Sequence, residues 1–299
     1  MKLLIVTQAV DTGDPVLGFF VRWIEEFAKH CEHVEVICLT EGKHSLPAHV
    51  RVHSLGKEKG VSRGKYILNF YRYMWQLRHE YDVVFVHMNP EYILLGGAVW
   101  RAWGKKVALW YTHKSVDLKL RLAELLVNVV FTASNKSFRL PSSKVHVMGH
   151  GIDTDFFCPD TNVVRGDWLL SVGRLMPSKR HDLAIGRAFK EKRELHIAGE
   201  GPERERLETL AHKLGVRVQF LGGLNQTQLR DEYRRAAYLI HTSETGSLDK
   251  VVLEALACGL PVHTHDPALK ILEHEGPGYV REHHSLERLI PAILNVMQV

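Results

Sequence analysis

Nowhere does the chain carry an uninterrupted apolar run of about 18 residues, so a helix that crosses a membrane is not expected. Cysteine is scarce as well. Cys31, Cys38, Cys158 and Cys258 lie far apart with no paired ligand spacing, which argues against a disulfide framework and a structural zinc site and for a reducing cytosol. The opening Met1–Val6 is apolar but meets Gln8 and Asp11 too soon for a signal sequence. A cytoplasmic protein, peripheral at most on the inner membrane face, is the expectation. Positive charge is in only small excess: 39 Lys and Arg against 34 Asp and Glu leave +5, too little without clustering to argue for nucleic acid. Anionic small substrates or an anionic membrane surface suit that balance.

What the chain does have is length for two cores: 299 residues, 45% hydrophobic. Strand-like runs at Lys2–Thr7, Val34–Leu39, Val83–His87, Val107–Trp110 and Val129–Ala133 alternate with helix-like runs at Val16–His30, Ser62–Glu80, Tyr92–Trp103 and Ser115–Val127. The pattern resumes with strands at Trp168–Val172, Leu195–Ala198, Val218–Leu221, Tyr238–His241 and Pro261–Thr264, separated by helices such as Pro202–Leu214 and Thr227–Ala237. Such alternation predicts parallel sheets covered on both faces, hence an α/β protein with two Rossmann-like domains. Cys158–Gly166 loses periodicity and gathers turn formers, which places the boundary between domains 1–160 and 161–299. Ligands of open α/β sheets bind beyond the carboxyl ends of the strands, so the cleft between the two domains is the expected site.

Five segments carry chemistry. Gly246-Ser-Leu-Asp-Lys-Val-Val-Leu-Glu254 leads from a glycine loop into a small-residue helix that Gly259-Leu-Pro261 stops; Asp249 is placed to cap it, and the free N–H groups at its start favour a diphosphate. An ordinary loop-helix-strand unit reads the same way when this segment stands alone. Ser171-Val-Gly-Arg174-Leu-Met-Pro-Ser-Lys179-Arg180 ends a hydrophobic strand in glycine and then offers two cations five residues apart. With His150–Phe157, Ala198-Gly-Glu-Gly-Pro-Glu203 and Phe220-Leu-Gly-Gly223, these segments resemble glycosyltransferase family 4, retaining nucleotide-sugar transferases of the GT-B fold, in the family's order across the second half of the chain.

The resemblance implies transfer of a sugar from a nucleotide-diphosphate sugar to a glycan, lipid or small-molecule acceptor, with no metal and no cofactor. It assigns Arg174 and Lys179 to the departing diphosphate, where a fork-shaped guanidinium and a point-charge ammonium offset charge as it develops. Glu254 matches the glutamate that holds the ribose hydroxyls. Gly199 falls to the donor-site turn, Leu221 to a place beside the base, and Gly246, Leu248, Asp249 and Lys250 to the loop around the donor. In the first half, Trp110-Tyr-Thr-His113 follows a strand and resembles the histidine that faces the transferred sugar. Gly18 stands near the place of the glycines that approach the diphosphate. The chain departs from the family where its first glutamate belongs: Gly246 occupies that place, Glu244 lies two residues too early, and Leu248-Asp249 replaces Phe-Gly. Either Glu244 or Asp249 meets the sugar hydroxyls, or the donor is read differently. A non-catalytic nucleotide-sugar-binding subunit and a sugar epimerase or phosphorylase on the same fold stay open beside the transferase.

Other features have blander accounts. The third glycine of a dinucleotide fingerprint is Arg204, which weakens a dehydrogenase reading. Asp153-Thr-Asp155 and His263-Thr-His-Asp266 have spacings a metal can use, but the first lies in the family's interdomain segment and the second alternates on a strand. Gly60–Glu80 mixes Arg63, Lys65, Arg72 and Arg78 with five aromatics and suits a peripheral anionic membrane contact, while Ile67, Phe70, Met74 and Leu77 form a stripe suited to packing on the sheet.

Overall fold

The computed structural model describes residues 1–243 and 248–298, which form two compact units. The first comprises residues 1–151 and 286–299, the second residues 152–285. The division therefore falls at Gly151/Ile152, earlier than the turn-rich Cys158–Gly166 suggests, and the chain returns to the first unit at Leu286. The physical reason is that Leu286–Gln298 folds as an amphipathic helix whose apolar side belongs to the first unit's core.

In the first unit, β1 (Lys2–Val10), α1 (Phe19–His30), β2 (His33–Glu41), β3 (Val50–Ser54), α2 (Arg63–Gln76), β4 (Val83–His87), α3 (Pro90–Ala102), β5 (Lys106–Trp110), α4 (Leu118–Leu126), β6 (Val129–Thr132) and β7 (Val145–Val147) follow in order. The parallel sheet runs β3-β2-β1-β4-β5-β6-β7. Successive residues of β1 divide its two faces: Leu3 and Ile5 join one core, Leu4 and Val6 the other. The first is covered by α1 and, later in the chain, by the terminal helix; the second by α2, α3 and α4. Helix α1 begins at Phe19 because the Asp14 carboxylate accepts the N–H groups of Val16 and Leu17 at 2.8 Å, fixing a turn around Pro15. In α2, Phe70 and Met74 meet the core, as does Leu77 just past its end, but Ile67 does not, being 44% exposed.

In the second unit, β8 (Leu169–Val172), α5 (His181–Glu191), β9 (Leu195–Ala198), α6 (Arg204–Leu214), β10 (Val218–Gly222), α7 (Gln226–Arg235), β11 (Tyr238–His241), α8 (Lys250–Ala257), β12 (Val262–Thr264) and α9 (Pro277–His284) build a parallel sheet of order β10-β9-β8-β11-β12. Helices α5 and α6 cover one face; α7, α8 and α9 cover the other. An Asn225–Gln228 capping box starts α7. The remaining helix, α10 (Leu286–Gln298), buries Leu286, Leu289, Ile290, Ile293, Leu294 and Met297 in the first unit.

Strand order reverses beside β8: β9 lies on one side of it, β11 on the other. The crevice of this unit thus opens where the loops after β8 and β11 leave the sheet.

Candidate donor site

The loop after β8 carries Arg174 and a single 3-10 turn, Pro177–Lys179, before α5 begins. Three contacts hold Lys179. Its carbonyl accepts the Thr242 hydroxyl at 2.7 Å, its aliphatic stem lies across Gly173, and its Nζ donates to Asp249 Oδ2 at 2.6 Å. Asp249 stands at the N-cap of α8 without capping it, contrary to expectation, because its carboxylate is turned toward the cations instead.

A chain of hydrogen bonds fixes that carboxylate. The Asp266 N–H donates to Thr264 Oγ1 at 3.1 Å, and with His241 Nε2 turned to the Asp249 carboxylate the Thr264 hydroxyl donates to His241 Nδ1 at 2.9 Å. His241, 4% exposed, then carries its proton on Nε2 and donates to Asp249 Oδ2 at 3.3 Å. Burial would raise the Asp249 carboxyl, but the His241 hydrogen bond and the Lys179 charge overcome it and hold the group well below the usual carboxylate range. Asp249 is therefore ionised at neutral pH and offsets Lys179. Arg174 is exposed and, among the described residues, pairs with no carboxylate. Behind the loop, Ser171 Oγ lies 2.9 Å from His181 Nδ1, and burial pushes His181 down to about 4, so the ring is neutral against the turn.

Gly199 shapes the floor. At φ 145°, its N–H donates to the Gly222 carbonyl at 2.8 Å, and a Cβ there would lie 2.0 Å from the Gly173 carbonyl oxygen. Only glycine lets the loops after β8 and β9 come that close. Leu221 sits where the β10–β9 register shifts between Phe220 and Gly222, and packs partly buried on the α7/α8 side.

Glu254 is 2% exposed on α8. Lys250 Nζ donates to its Oε1 at 2.5 Å and the Tyr233 hydroxyl to its Oε2 at 3.3 Å. A carboxylate offers about four acceptor positions, so this anchored group keeps capacity for two more donors. Leu248 packs partly buried on the same side. Gly246 and Glu244 lie outside the described residues.

In the first unit, His113 is exposed three residues past β5. The Ser115 N–H donates to its Nδ1 at 3.3 Å, which in the neutral ring puts the proton on Nε2 as a free-standing donor. Gly18 is small for a local reason: a Cβ would lie 2.5 Å from the Asp14 carbonyl oxygen, and its own N–H already donates to that oxygen at 3.0 Å. The backbone donor expected for a diphosphate is thus engaged within the loop.

Of the spacings that suit a metal, Asp153 accepts the N–H groups of Asp155 and Phe156, and Asp155 pairs with Arg281 at 3.0 Å. His263 lies edge-on to Tyr238, and Asp266 accepts the Ala268 N–H. No group of three or more His, Cys, Asp or Glu able to hold a metal occurs among the described residues. His241, Thr242 and Tyr233 escaped the sequence reading. Only His241 left a trace there, as the polar last residue of an otherwise apolar strand.

Residues 162–298 match the family model described as glycosyl transferases group 1, which spans the whole arrangement around Lys179, Asp249 and Glu254. Through that stretch the chain is similar to the group 1 glycosyl transferases. The chain is 33% identical over 132 residues to a GDP-mannose-dependent alpha-mannosyltransferase of Mycobacterium tuberculosis, a match covering 41% of the chain and 34% of the mannosyltransferase. The chain thus spans about a third of that relative's length. Its fold is GT-B: HepE of Anabaena, in complex with UDP, superposes with a TM-score of 0.74 at 15% identity over the full length of both chains. The UDP-GlcNAc 2-epimerase of Methanocaldococcus jannaschii has the same fold, with a TM-score of 0.61 at 13% identity and full coverage of both. Fold alone therefore does not choose between group transfer and epimerisation.

Proposed function

We propose that this chain transfers a sugar from a nucleotide-diphosphate sugar to a glycan, lipid-linked or small-molecule acceptor, with retention at the anomeric carbon and without a metal or other cofactor. The observation that carries the proposal is the fixed cation of Lys179, set beside the loop bearing Arg174 at the point where strand order reverses. When the glycosidic bond to the diphosphate breaks, negative charge grows on the departing phosphate. Arg174 and Lys179 stabilise it as it forms, the role a divalent cation fills elsewhere. The unused acceptor capacity of Glu254 suits ribose hydroxyls, with Tyr233 and Lys250 keeping the carboxylate in place. Gly199 keeps the turn open to the ligand, while Leu221 and Leu248 supply apolar contact for the base and sugar. In the first unit, His113 keeps an Nε2–H donor of the kind a sugar hydroxyl accepts.

The test is thermal unfolding with UDP-, GDP- and ADP-sugars in the presence of EDTA. A true donor at about 100 times its dissociation constant stabilises the fold by roughly 2.7 kcal/mol, and Arg174→Ala/Lys179→Ala removes that gain. Stabilisation only when manganese replaces EDTA contradicts the metal-free reading. Stabilisation without product, in an acceptor screen with the same sugar, points instead to a binding subunit. A C2-inverted sugar formed with no acceptor present identifies an epimerase.

A further inference from the structure

Twelve large hydrophobic side chains are exposed among the described residues, and seven of them stand on two helices that cover the same sheet face. On α2 these are Ile67, Leu68, Tyr71 and Trp75; on α4 they are Leu118, Leu122 and Leu125, spaced i, i+4, i+7 along one outer stripe. Helix α3 lies between them, since the Tyr71 hydroxyl reaches the Leu95 carbonyl at 3.0 Å and Lys119 reaches Glu91 at 2.7 Å. Its outward residues continue the same character: Leu94 and Leu95 are half-buried, Ala98 and Ala102 exposed. Three neighbouring helices thus present one broad apolar outer face.

Cations outnumber acids on that face. Helix α2 carries Arg63, Lys65 and Arg72 and no acid; α3 adds Arg101, and α4 adds Lys119 and Arg121. The two acids of these helices are neutralised locally, Glu91 by Lys119 and Glu124 by Lys144. Arg78, just beyond α2, lies 4.5 Å from the centre of the Trp75 ring. Ordinary solvated surfaces mix both signs and leave large apolar side chains singly. A second copy of the chain would set these cations against each other. Long cations beside Trp and Tyr, around branched aliphatics, suit the headgroup layer of an anionic bilayer: the stems lie along the apolar surface while the charges reach phosphate. No described helix is long and apolar enough to span a membrane, so the contact is one of lying on the surface.

We propose that the outer face of α2, α3 and α4 docks on an anionic lipid surface. This goes beyond the donor-site reading and stands on different residues. The experiment is flotation of the full chain with neutral phosphatidylcholine vesicles and with vesicles containing about 30% phosphatidylglycerol, at low and high salt. Co-flotation is expected only with the anionic vesicles and falls steeply as salt rises. Lys65→Gln/Arg72→Gln weakens partitioning roughly thirtyfold, at about 1 kcal/mol for each cation near the surface. Leu68→Gln/Leu125→Gln abolishes flotation at either salt. Both double variants keep the wild-type melting temperature and its nucleotide-induced shift, so this inference and the donor reading fail separately. Absence of flotation with anionic vesicles at low salt overturns the proposal, as does binding that survives both double variants. A lipid-independent dimer that Leu68→Gln/Leu125→Gln dissociates also overturns it and assigns the face to a second copy.

Discussion

Asp249 changes the electrostatics expected around a nucleotide-sugar. A carboxylate 2.6 Å from Lys179 Nζ leaves the pair neutral, so an anion that approaches this lysine also meets Asp249. The diphosphate of a nucleotide-sugar carries two negative charges, whereas a free nucleoside diphosphate carries about one more on its terminal phosphate. An extra unit charge about 5 Å from the carboxylate costs roughly 1–3 kcal/mol at an effective dielectric between a protein surface and bulk water. On the proposed function, Asp249 disfavours a nucleoside diphosphate more than its sugar ester. Asp249→Asn is expected to tighten binding of the nucleoside diphosphate about tenfold more than binding of its sugar ester, measured by titration calorimetry. Equal changes for both ligands would confine Asp249 to holding Lys179 in place.

At the scale of elements, the candidate donor site is a junction of loops that glycine brings together. Gly199→Ala would place a methyl 2.0 Å from the Gly173 carbonyl at a φ that L-residues rarely adopt. The loops after β8 and β9 then separate, and we expect a loss of roughly 2–4 kcal/mol in urea unfolding together with loss of nucleotide-induced stabilisation. Unchanged nucleotide binding in a destabilised Gly199→Ala would detach this floor from the site. Legibility in the sequence follows the same scale. Strands Val83–His87 and Tyr238–His241 could be bounded to the residue because continuous apolar runs end there in histidine, and Leu195–Ala198 because it runs into Gly199. Strands β3 and β7 were not anticipated, since VRVHS and VHV are short, partly exposed segments added beyond β2 and β6. Arg174, Lys179 and Glu254 stood out through local spacing around glycines. His241, Thr242 and Tyr233 did not, because the contacts that give them meaning, such as Thr242 to Lys179, join positions far apart in the chain. The outer stripe of α4 passed unnoticed for the opposite reason: leucines at helical spacing read as core until their exposure is known.

At the scale of the molecule, the first unit is discontinuous. Six buried side chains of α10 complete the core over α1, and Trp23 Nε1 of α1 donates to the Gly151 carbonyl at 3.1 Å, where the chain leaves that unit. Burial of six large aliphatic side chains contributes at most about 9–18 kcal/mol, comparable to the roughly 5–15 kcal/mol that stabilises an ordinary domain. Deletion of residues 286–299 is therefore expected to unfold the first unit while the second retains its thermal transition, seen by calorimetry and by selective proteolysis within residues 1–151. One cooperative transition at the wild-type temperature would contradict this division of labour.

The return of α10 also sets an order of events during synthesis. The apolar side of α1 leaves the ribosome early, but the helix that covers it is made only after the whole of residues 152–285, a delay on the order of ten seconds at typical elongation rates. The second unit, continuous in sequence, can close in that interval. Until then the nascent first unit presents Trp23, Phe27 and their neighbours uncovered, so it is this half of the protein, in this interval, that is most open to aggregation.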